Sequence, residues 1–353
     1  MKNMTFLSIS LALVLTTLGL RASEAPEYGT RDDLLPGGAG MTVRGKLLFT
    51  TIGSEPLAKA RRLVAVDIKD PAAPRVLSFI DLKGFPQDLA WVGDTAFVVD
   101  GLRLVAIDTS KPSAMRILSE TAIADTPENG PQGIVIDGTD AYLACRKQGV
   151  VKVDVSRAEA PVVRTVVPTP FSRGVALYKS GEATYVVSAD DTRGVHVIQG
   201  DRVVASHPLP KGCAARVRVV GNHAYVANGG AFLTILSLAS NGSLTLVSEC
   251  ATLPDGIYYG SYAYDVLPVE NYALLSAGEN GVKPVDVSDP AHPIASAEGG
   301  KIPAAPLVRA AVLDNGRLYV NAGTMDGRTL LVVMDAATLP ALKPIGEPLN
   351  LSE

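Results

Sequence analysis

The sequence predicts an all-β fold, a seven-bladed β-propeller built from four-stranded antiparallel blades. The first observation is an apolar phrase closed by aspartate, which reads Leu-Val-Ala-Val-Asp at 63–67 and recurs along the chain. Its copies lie about 45 residues apart, a period typical of propellers and solenoids. The aspartate position is filled in order by Asp67, Asp108, Asp154, Gln199, Ser237, Asp286 and Asp335.

The second observation is that each copy lies inside a unit of four strand-like runs separated by turn residues. In the second unit the first three runs are 89–93, 96–99 and 104–109. The second and third runs are apolar at nearly every position, which predicts strands covered on both faces by neighbouring sheets. The fourth run, such as 75–80 in the first unit, is more polar, as expected of an outer edge strand.

The units predict a propeller over residues 41–349, followed by a short tail at 350–353. The first unit lacks an obvious strand supplied by the C-terminal end of the chain. We therefore expect the ring to close by packing between blades, or by residues 34–39 reaching across. An open solenoid is the alternative, and it would need polar capping units at its ends. The seven units are 41–83, 84–125, 129–169, 171–210, 213–253, 261–298 and 306–349.

The N-terminal segment has the order of a secretory signal peptide. Lys2 provides a basic start, residues 6–20 form an apolar run, and small residues follow up to Ala25. The apolar run is shorter than the roughly 20 residues that a spanning helix needs, so we expect cleavage after Ala25 rather than an uncleaved anchor. A leader at 26–40 then precedes the propeller. We expect an exported protein, periplasmic or extracellular, with no membrane span after cleavage.

The composition limits the partners and the covalent chemistry. A formal net charge of −4 argues against a broad nucleic-acid interface. The three cysteines, Cys145, Cys213 and Cys250, are too few and too widely spaced for a disulfide scaffold or a zinc site. Cys145 lies in an apolar run and is expected in the core, whereas a Cys213–Cys250 pair stays an open alternative. We expect a monomer.

Two stretches carry a family resemblance. Residues 63–74 read Leu-Val-Ala-Val-Asp-Ile-Lys-Asp-Pro-Ala-Ala-Pro, and residues 282–293 end in the similar Asp-Val-Ser-Asp-Pro-Ala-His-Pro. These segments resemble the LVIVD repeat of exported and surface proteins of bacteria and archaea. The resemblance is strong in units one, two, three and six and weaker in the others. It implies a propeller outside the cytoplasm and brings no shared catalytic residues.

The recurring aspartate is expected to be structural. A carboxylate at this position can accept hydrogen bonds from the turn that follows it, as Asx-type residues do. This interpretation applies to the five copies that keep the acid. They are Asp67, Asp108, Asp154, Asp286 and Asp335.

No strong catalytic, metal-binding or phosphate-binding motif is present in the sequence. We therefore expect no cofactor and no metal. The pair Asp190–Asp191 lacks the spaced oxygen ligands of an EF-hand and is interpreted as a solvated turn.

A candidate ligand site comes from position within the fold. The first strand of each blade lines the channel of a propeller, and one aligned position at its start is polar in five units. These residues are Gln87, Gln132, Arg173, Tyr264 and Arg309, with Ala39 and Ala215 at the same position elsewhere. Polar residues in such a place need water, a partner or a ligand. We expect them at one channel mouth, with a polar and anionic ligand, and we expect Arg173 and Arg309 to be replaceable with little loss of stability.

Two classes of function compete. The first is a non-catalytic binding or interaction scaffold for an envelope or extracellular protein, a glycan or a small anionic ligand. The alternative is a periplasmic propeller enzyme of lactonase, lyase or glycosidase type acting in the same funnel. An enzyme would need paired carboxylates or a metal near the mouth. Asp88 and Asp265 are the candidate acids, and finding them about 5–10 Å apart in a cleft would favour the enzyme.

Overall fold

The chain forms seven four-stranded antiparallel sheets arranged as the blades of a propeller. Each sheet takes its four strands from one continuous stretch of chain, and among the described residues no strand is exchanged between the first and last blades. A computed structural model describes residues 39–53, 58–209, 212–229, 232–252 and 262–353, apart from the side chain of Phe232. The predicted seven-bladed all-β fold is confirmed.

Within the described residues the strands are numbered β1 to β28, four to a blade. Blades 1 and 2 contain β1 (Met41–Arg44), β2 (Leu47–Ile52), β3 (Arg62–Asp67), β4 (Arg75–Asp81), β5 (Pro86–Val92), β6 (Thr95–Asp100), β7 (Arg103–Asp108) and β8 (Arg116–Ala122). Blades 3 and 4 contain β9 (Gly133–Asp137), β10 (Asp140–Cys145), β11 (Gly149–Asp154), β12 (Val162–Val167), β13 (Gly174–Ser180), β14 (Ala183–Ala189), β15 (Val195–Gln199) and β16 (Arg202–His207). Blades 5 to 7 contain β17 (Ala214–Val220), β18 (His223–Asn228), β19 (Phe232–Leu238), β20 (Leu244–Ala251), β21 (Asp265–Val269), β22 (Tyr272–Ser276), β23 (Val282–Asp286), β24 (Ile294–Ala295), β25 (Leu307–Asp314), β26 (Arg317–Gly323), β27 (Thr329–Asp335) and β28 (Lys343–Asn350). One short 3-10 turn, Pro127–Asn129, precedes blade 3.

The burial of the strands follows the apolar pattern of the sequence. The second and third strands are buried along most of their length, as in β6 and β7. The fourth strands are the exposed edges, and β4 alternates between exposed and half-buried residues. First strands of neighbouring blades pack against each other around the ring, which places them along the central channel.

The core consists of seven apolar clusters, one between each pair of neighbouring blades. The cluster between blades 7 and 1 contains Leu48 and Val64 from blade 1 with Tyr319 and Leu331 from blade 7. Leu351, just beyond β28, is also buried there. The junction of the two chain ends is therefore packed like the other six, and ring closure by blade-to-blade packing is the arrangement seen. Of residues 34–39, only Ala39 lies within the described part.

All five repeated aspartates accept a hydrogen bond from the backbone N–H two residues later. The Oδ1 atoms of Asp67, Asp108, Asp154, Asp286 and Asp335 accept at 2.9 to 3.0 Å. These bonds form the Asx turn that leads from the third strand into the fourth. A recurring sequence feature thus corresponds to one recurring turn.

Each of the three cysteines is a free, buried thiol in this structure. Cys145 ends β10 in the core between blades 2 and 3, as expected. Cys213 and Cys250 are not joined, although both belong to blade 5.

Candidate ligand site at the channel mouth

The aligned positions at the start of the first strands are equivalent in the structure. Gln87 and Arg309 each fall at a β-bulge of the first strand, and so does Ala215. The N–H groups of Gln132, Arg173 and Tyr264 each donate to a carbonyl near the end of the second strand of the same blade, at 2.8 Å. The sequence alignment therefore identified a real repeated position, which we call the mouth position.

The side chains at the mouth position are held within the protein. All five polar residues there are buried. The Gln132 amide oxygen, turned toward Arg146, accepts from that guanidinium at 3.0 and 3.2 Å. The Arg173 Nε donates to Asp191 Oδ2 at 2.7 Å, and both side chains are less than 10 % exposed. The acid that holds Arg173 comes from the second-to-third connection of the same blade.

The residue that follows the mouth position on each first strand belongs to a second ring, which contains three charged side chains. This inner ring comprises Gly40, Asp88, Gly133, Gly174, Arg216, Asp265 and Ala310. Four of its members are glycine or alanine, and the other three are charged. The reason for the small residues is visible at Gly133 and Gly174. A Cβ atom on Gly133 would lie 2.9 Å from Arg216 Nη1, and one on Gly174 would lie 3.3 Å from Arg216 Cδ.

Arg216 crosses these glycines to reach Asp88. Its Nη1 atom donates to Asp88 Oδ2 at 2.7 Å, which joins blade 5 to blade 2. Asp88 also accepts from the N–H groups of Leu89 at 2.9 Å and Ile134 at 3.2 Å. These donors hold the Asp88 carboxylate against β9 and β17 as well as against its own strand.

Arg218 lies two residues further along β17 and has a looser partner. Its Nη2 atom is 3.5 and 3.4 Å from the two carboxylate oxygens of Asp265, in blade 6. Its side chain is 49 % exposed, whereas that of Arg216 is 10 % exposed. The pKa of Arg218 is raised, chiefly by the charge of Asp265, and Asp88 contributes as well. Arg216 and Arg218 are two positions apart on β17 and so share one face of the strand.

A buried polar cluster lies beside Arg173, at the junction of blades 4, 5 and 6. The Cys213 thiol is 2.8 Å from Asp191 Oδ1 and 2.8 Å from the Tyr262 hydroxyl. Burial raises the pKa of Cys213 to about 12, and burial also raises the pKa of Tyr262 well above its usual range. At neutral pH the thiol is protonated, so it is a weak nucleophile and acts as a hydrogen-bonding group.

Several other polar residues of this face fasten the connection that enters the first strand. They stand at the end of the second strand and accept a backbone N–H from that connection. The acceptors are Thr51 from Gly40, Asp100 from Gly84, Asp190 from Phe171 and Asn228 from Cys213, at 2.6 to 3.1 Å. The interpretation of Asp190–Asp191 as a solvated turn is wrong, because both side chains are buried in these contacts.

Arg216 and Arg218 are the site residues that the sequence alignment missed. Both lie in β17, one and three positions after Ala215. Aligning the residue after the mouth position would have placed charged residues in some blades at the same position as glycines in others. That mixture is the signal that the sequence offers. Among the described residues, no group of three His, Cys, Asp or Glu side chains comes together in a way that would hold a metal ion. Residues 253–261, which include Tyr258 and Tyr259, lie outside the described part.

Three of the repeats match a known family model. The family model described as the LVIVD repeat matches residues 83–121, 211–252 and 260–298, which correspond to blades 2, 5 and 6. The chain carries LVIVD repeats in these three blades. The match to blade 5 shows that the repeat tolerates Ser237 at the aspartate position, a copy expected to be weak. No curated protein sequence matches the chain.

Solved structures similar to the LVIVD-repeat protein show the same fold at low identity. A hypothetical selenium-binding protein from Sulfolobus tokodaii has a TM-score of 0.66 at 13% identity, over 86% of this chain and 92% of that one. A protein from Lactobacillus plantarum has a TM-score of 0.65 at 16% identity, over 85% and 95% of the two chains. The computationally designed Ika8 protein has a TM-score of 0.57 at 11% identity, over 88% of each chain. At these identities the likeness concerns the fold alone.

Proposed function

We propose that this LVIVD-repeat protein is exported, loses residues 1–25, and acts as a non-catalytic binding scaffold whose channel mouth holds a polar or anionic ligand. The observation that carries the proposal is the pairing of the mouth acids. Asp88 is bound by Arg216, Asp265 lies against Arg218, and Asp191 is bound by Arg173. Carboxylates held by guanidinium groups form a rigid recognition surface, whereas general acid–base catalysis needs a carboxyl that exchanges its proton near the working pH.

An anion would meet guanidinium groups at the mouth. Three arginines there, Arg173, Arg216 and Arg218, lie against the carboxylates of Asp191, Asp88 and Asp265. Arg218 is the most exposed of the three, so its guanidinium is the one best placed to attract an anion from the channel.

Export is tested by the mature N-terminus. Intact-mass measurement of the native protein, purified from separated cell fractions, should give a chain beginning near Pro26 in the periplasmic or extracellular fraction. A chain that keeps Met1 in the cytoplasm would contradict export. In the described part of the chain, no helix has the length and apolar character needed to cross a bilayer.

Binding and catalysis are separated by what happens to the ligand. The purified protein is dialysed against a small-molecule extract of the envelope, and retained compounds are measured by mass spectrometry before and after incubation. A compound retained unchanged supports a binding scaffold. A compound that disappears with formation of a ring-opened or cleaved product would instead support the lactonase, lyase or glycosidase alternative.

A further inference from the structure

Arg216 and Arg218 lie two residues apart on β17 but differ in burial and in the length of their ion pairs. Arg216 is almost fully buried and bonded at 2.7 Å to a carboxylate that has two further donors. Arg218 is half exposed and its contacts with Asp265 are 3.4 and 3.5 Å long. Good charge-assisted bonds between guanidinium and carboxylate are about 2.7–2.9 Å, so the second pair is loose.

We infer that Arg218 is an oxyanion receptor inside the channel and that Asp265 is its built-in competitor. This inference rests on the proposed ligand site and names its anchoring residue and ligand class. A guanidinium presents a planar fork of donors that matches the oxygens of a carboxylate or a phosphate. The hydrogen bonds of Arg218 to described residues use Nη2, and its side chain is 49 % exposed, so its other donors are accessible to a ligand.

The surroundings make Arg218 the group that a small oxyanion can reach. Arg216 and Arg173 are already bonded to buried acids and are themselves buried. The Asp265 carboxylate also accepts the N–H of Val266 at 2.9 Å, so it keeps a partner when Arg218 turns toward a ligand. The exchange therefore replaces one long ion pair with a shorter one and leaves the Asp265 carboxylate with one backbone hydrogen bond.

Replacing Arg218 and replacing Asp265 should change anion affinity in opposite directions, which provides a test. Isothermal titration calorimetry is carried out on the purified full chain with sodium phosphate and sodium acetate, in chloride buffer of constant ionic strength. Saturable binding of either probe supports the receptor, and the probe that binds distinguishes a phosphoryl from a carboxylate ligand. Arg218→Gln should weaken that binding about tenfold or more, and Asp265→Asn should strengthen it.

The control variant is Arg116→Gln, which removes a guanidinium from an exposed ion pair with Asp108 on the outer side of blade 2. It should bind the oxyanion like the parent protein. Thermal melts establish that all three variants are folded. The inference is overturned if neither probe binds the parent, if folded R218Q binds as the parent does, or if D265N binds more weakly. An envelope compound that is retained by R218Q would leave the scaffold proposal standing while removing Arg218 from it.

Discussion

Arg216 and Asp88 are 128 positions apart in sequence and form a 2.7 Å ion pair across the channel. The arginine extends past Gly133 and Gly174, so one side chain connects blade 5 to blade 2 along the inner wall of two intervening blades. In a propeller each blade otherwise touches its two neighbours. This pair therefore couples blades that the repeat architecture leaves apart.

The Arg216–Asp88 pair should contribute strongly to stability. Asp88→Ala would leave a guanidinium that is 10 % exposed without its carboxylate. Removing one partner of a buried ion pair costs about 3–5 kcal/mol, and we expect a loss of that size in the free energy of unfolding by urea. A loss below about 1 kcal/mol would mean that the channel hydrates Arg216 well enough to replace the pair.

The matched control is Asp81→Ala, which breaks an ion pair with Arg62. The Asp81 side chain is 73 % exposed, so its removal should cost less than about 1 kcal/mol. The double variant Asp88→Ala with Arg216→Ala should be less damaging than the sum of its single changes, because neither buried charge is then left alone.

Asp154→Ala should lower the urea midpoint and leave ligand binding unchanged. The pKa of Asp154 is lowered, chiefly by its hydrogen bond from Arg164 and also by those from Ser156. A carboxyl whose pKa is lower when folded stabilises above its unfolded pKa and loses this effect as pH falls through the folded one. The difference between parent and variant should therefore be full at pH 7 and shrink below about pH 4. A variant of normal stability that loses binding would contradict the structural role of this aspartate.

The repeat allowed the fold to be predicted, but the charged network depends on contacts that the period does not encode. Each blade repeats the same apolar pattern, so the aspartate phrase and the turn residues were enough to place seven units. Asp88 and Arg216 occupy the same inner-ring position in different blades, and nothing in either repeat specifies the other as partner. The partner of Arg173 is equally hidden, because Asp191 has a positive φ of 48° in a connection whose path the sequence does not determine.

The three thiols should be unreactive in the native protein. Burial raises the pKa of Cys213 to about 12, and burial likewise raises the pKa of Cys145 and Cys250. At pH 8 a disulfide reagent such as DTNB should therefore react with none of them within minutes, and with all three after unfolding in guanidinium. A single reactive thiol after unfolding without reductant would show that two of the three cysteines are joined, contrary to the structure.

Leu351 should matter for ring closure despite its place near the chain end. It is 1 % exposed and packs in the cluster shared by blades 7 and 1. Leu351→Ala should cost about 2–5 kcal/mol in the free energy of unfolding, as for other buried leucines. Leu77→Ala is the control, because Leu77 is 42 % exposed on the outer strand of blade 1. Equal effects of the two variants would contradict closure through this cluster.

Arg173 should matter for stability, contrary to the expectation from the sequence. Arg173→Ala was expected to spare stability, but its guanidinium is the ionic partner of Asp191, which is 3 % exposed. The variant would leave that carboxylate buried beside the uncharged Cys213 and Tyr262, and we expect a loss of about 3–5 kcal/mol.

Arg173→Lys keeps the charge but loses the planar fork, so its loss in the same urea titration should be smaller. A double variant, Arg173→Ala with Arg309→Ala, could lose binding merely because it is unstable. Arg173 is therefore identified as a ligand contact only if Arg173→Lys, which is folded at the same temperature, also binds the ligand more weakly. If Arg173→Ala has the same urea midpoint of unfolding as the parent protein, the Asp191 carboxylate is solvated or protonated when its partner is removed. Arg173 would then again be a candidate for contact with a ligand.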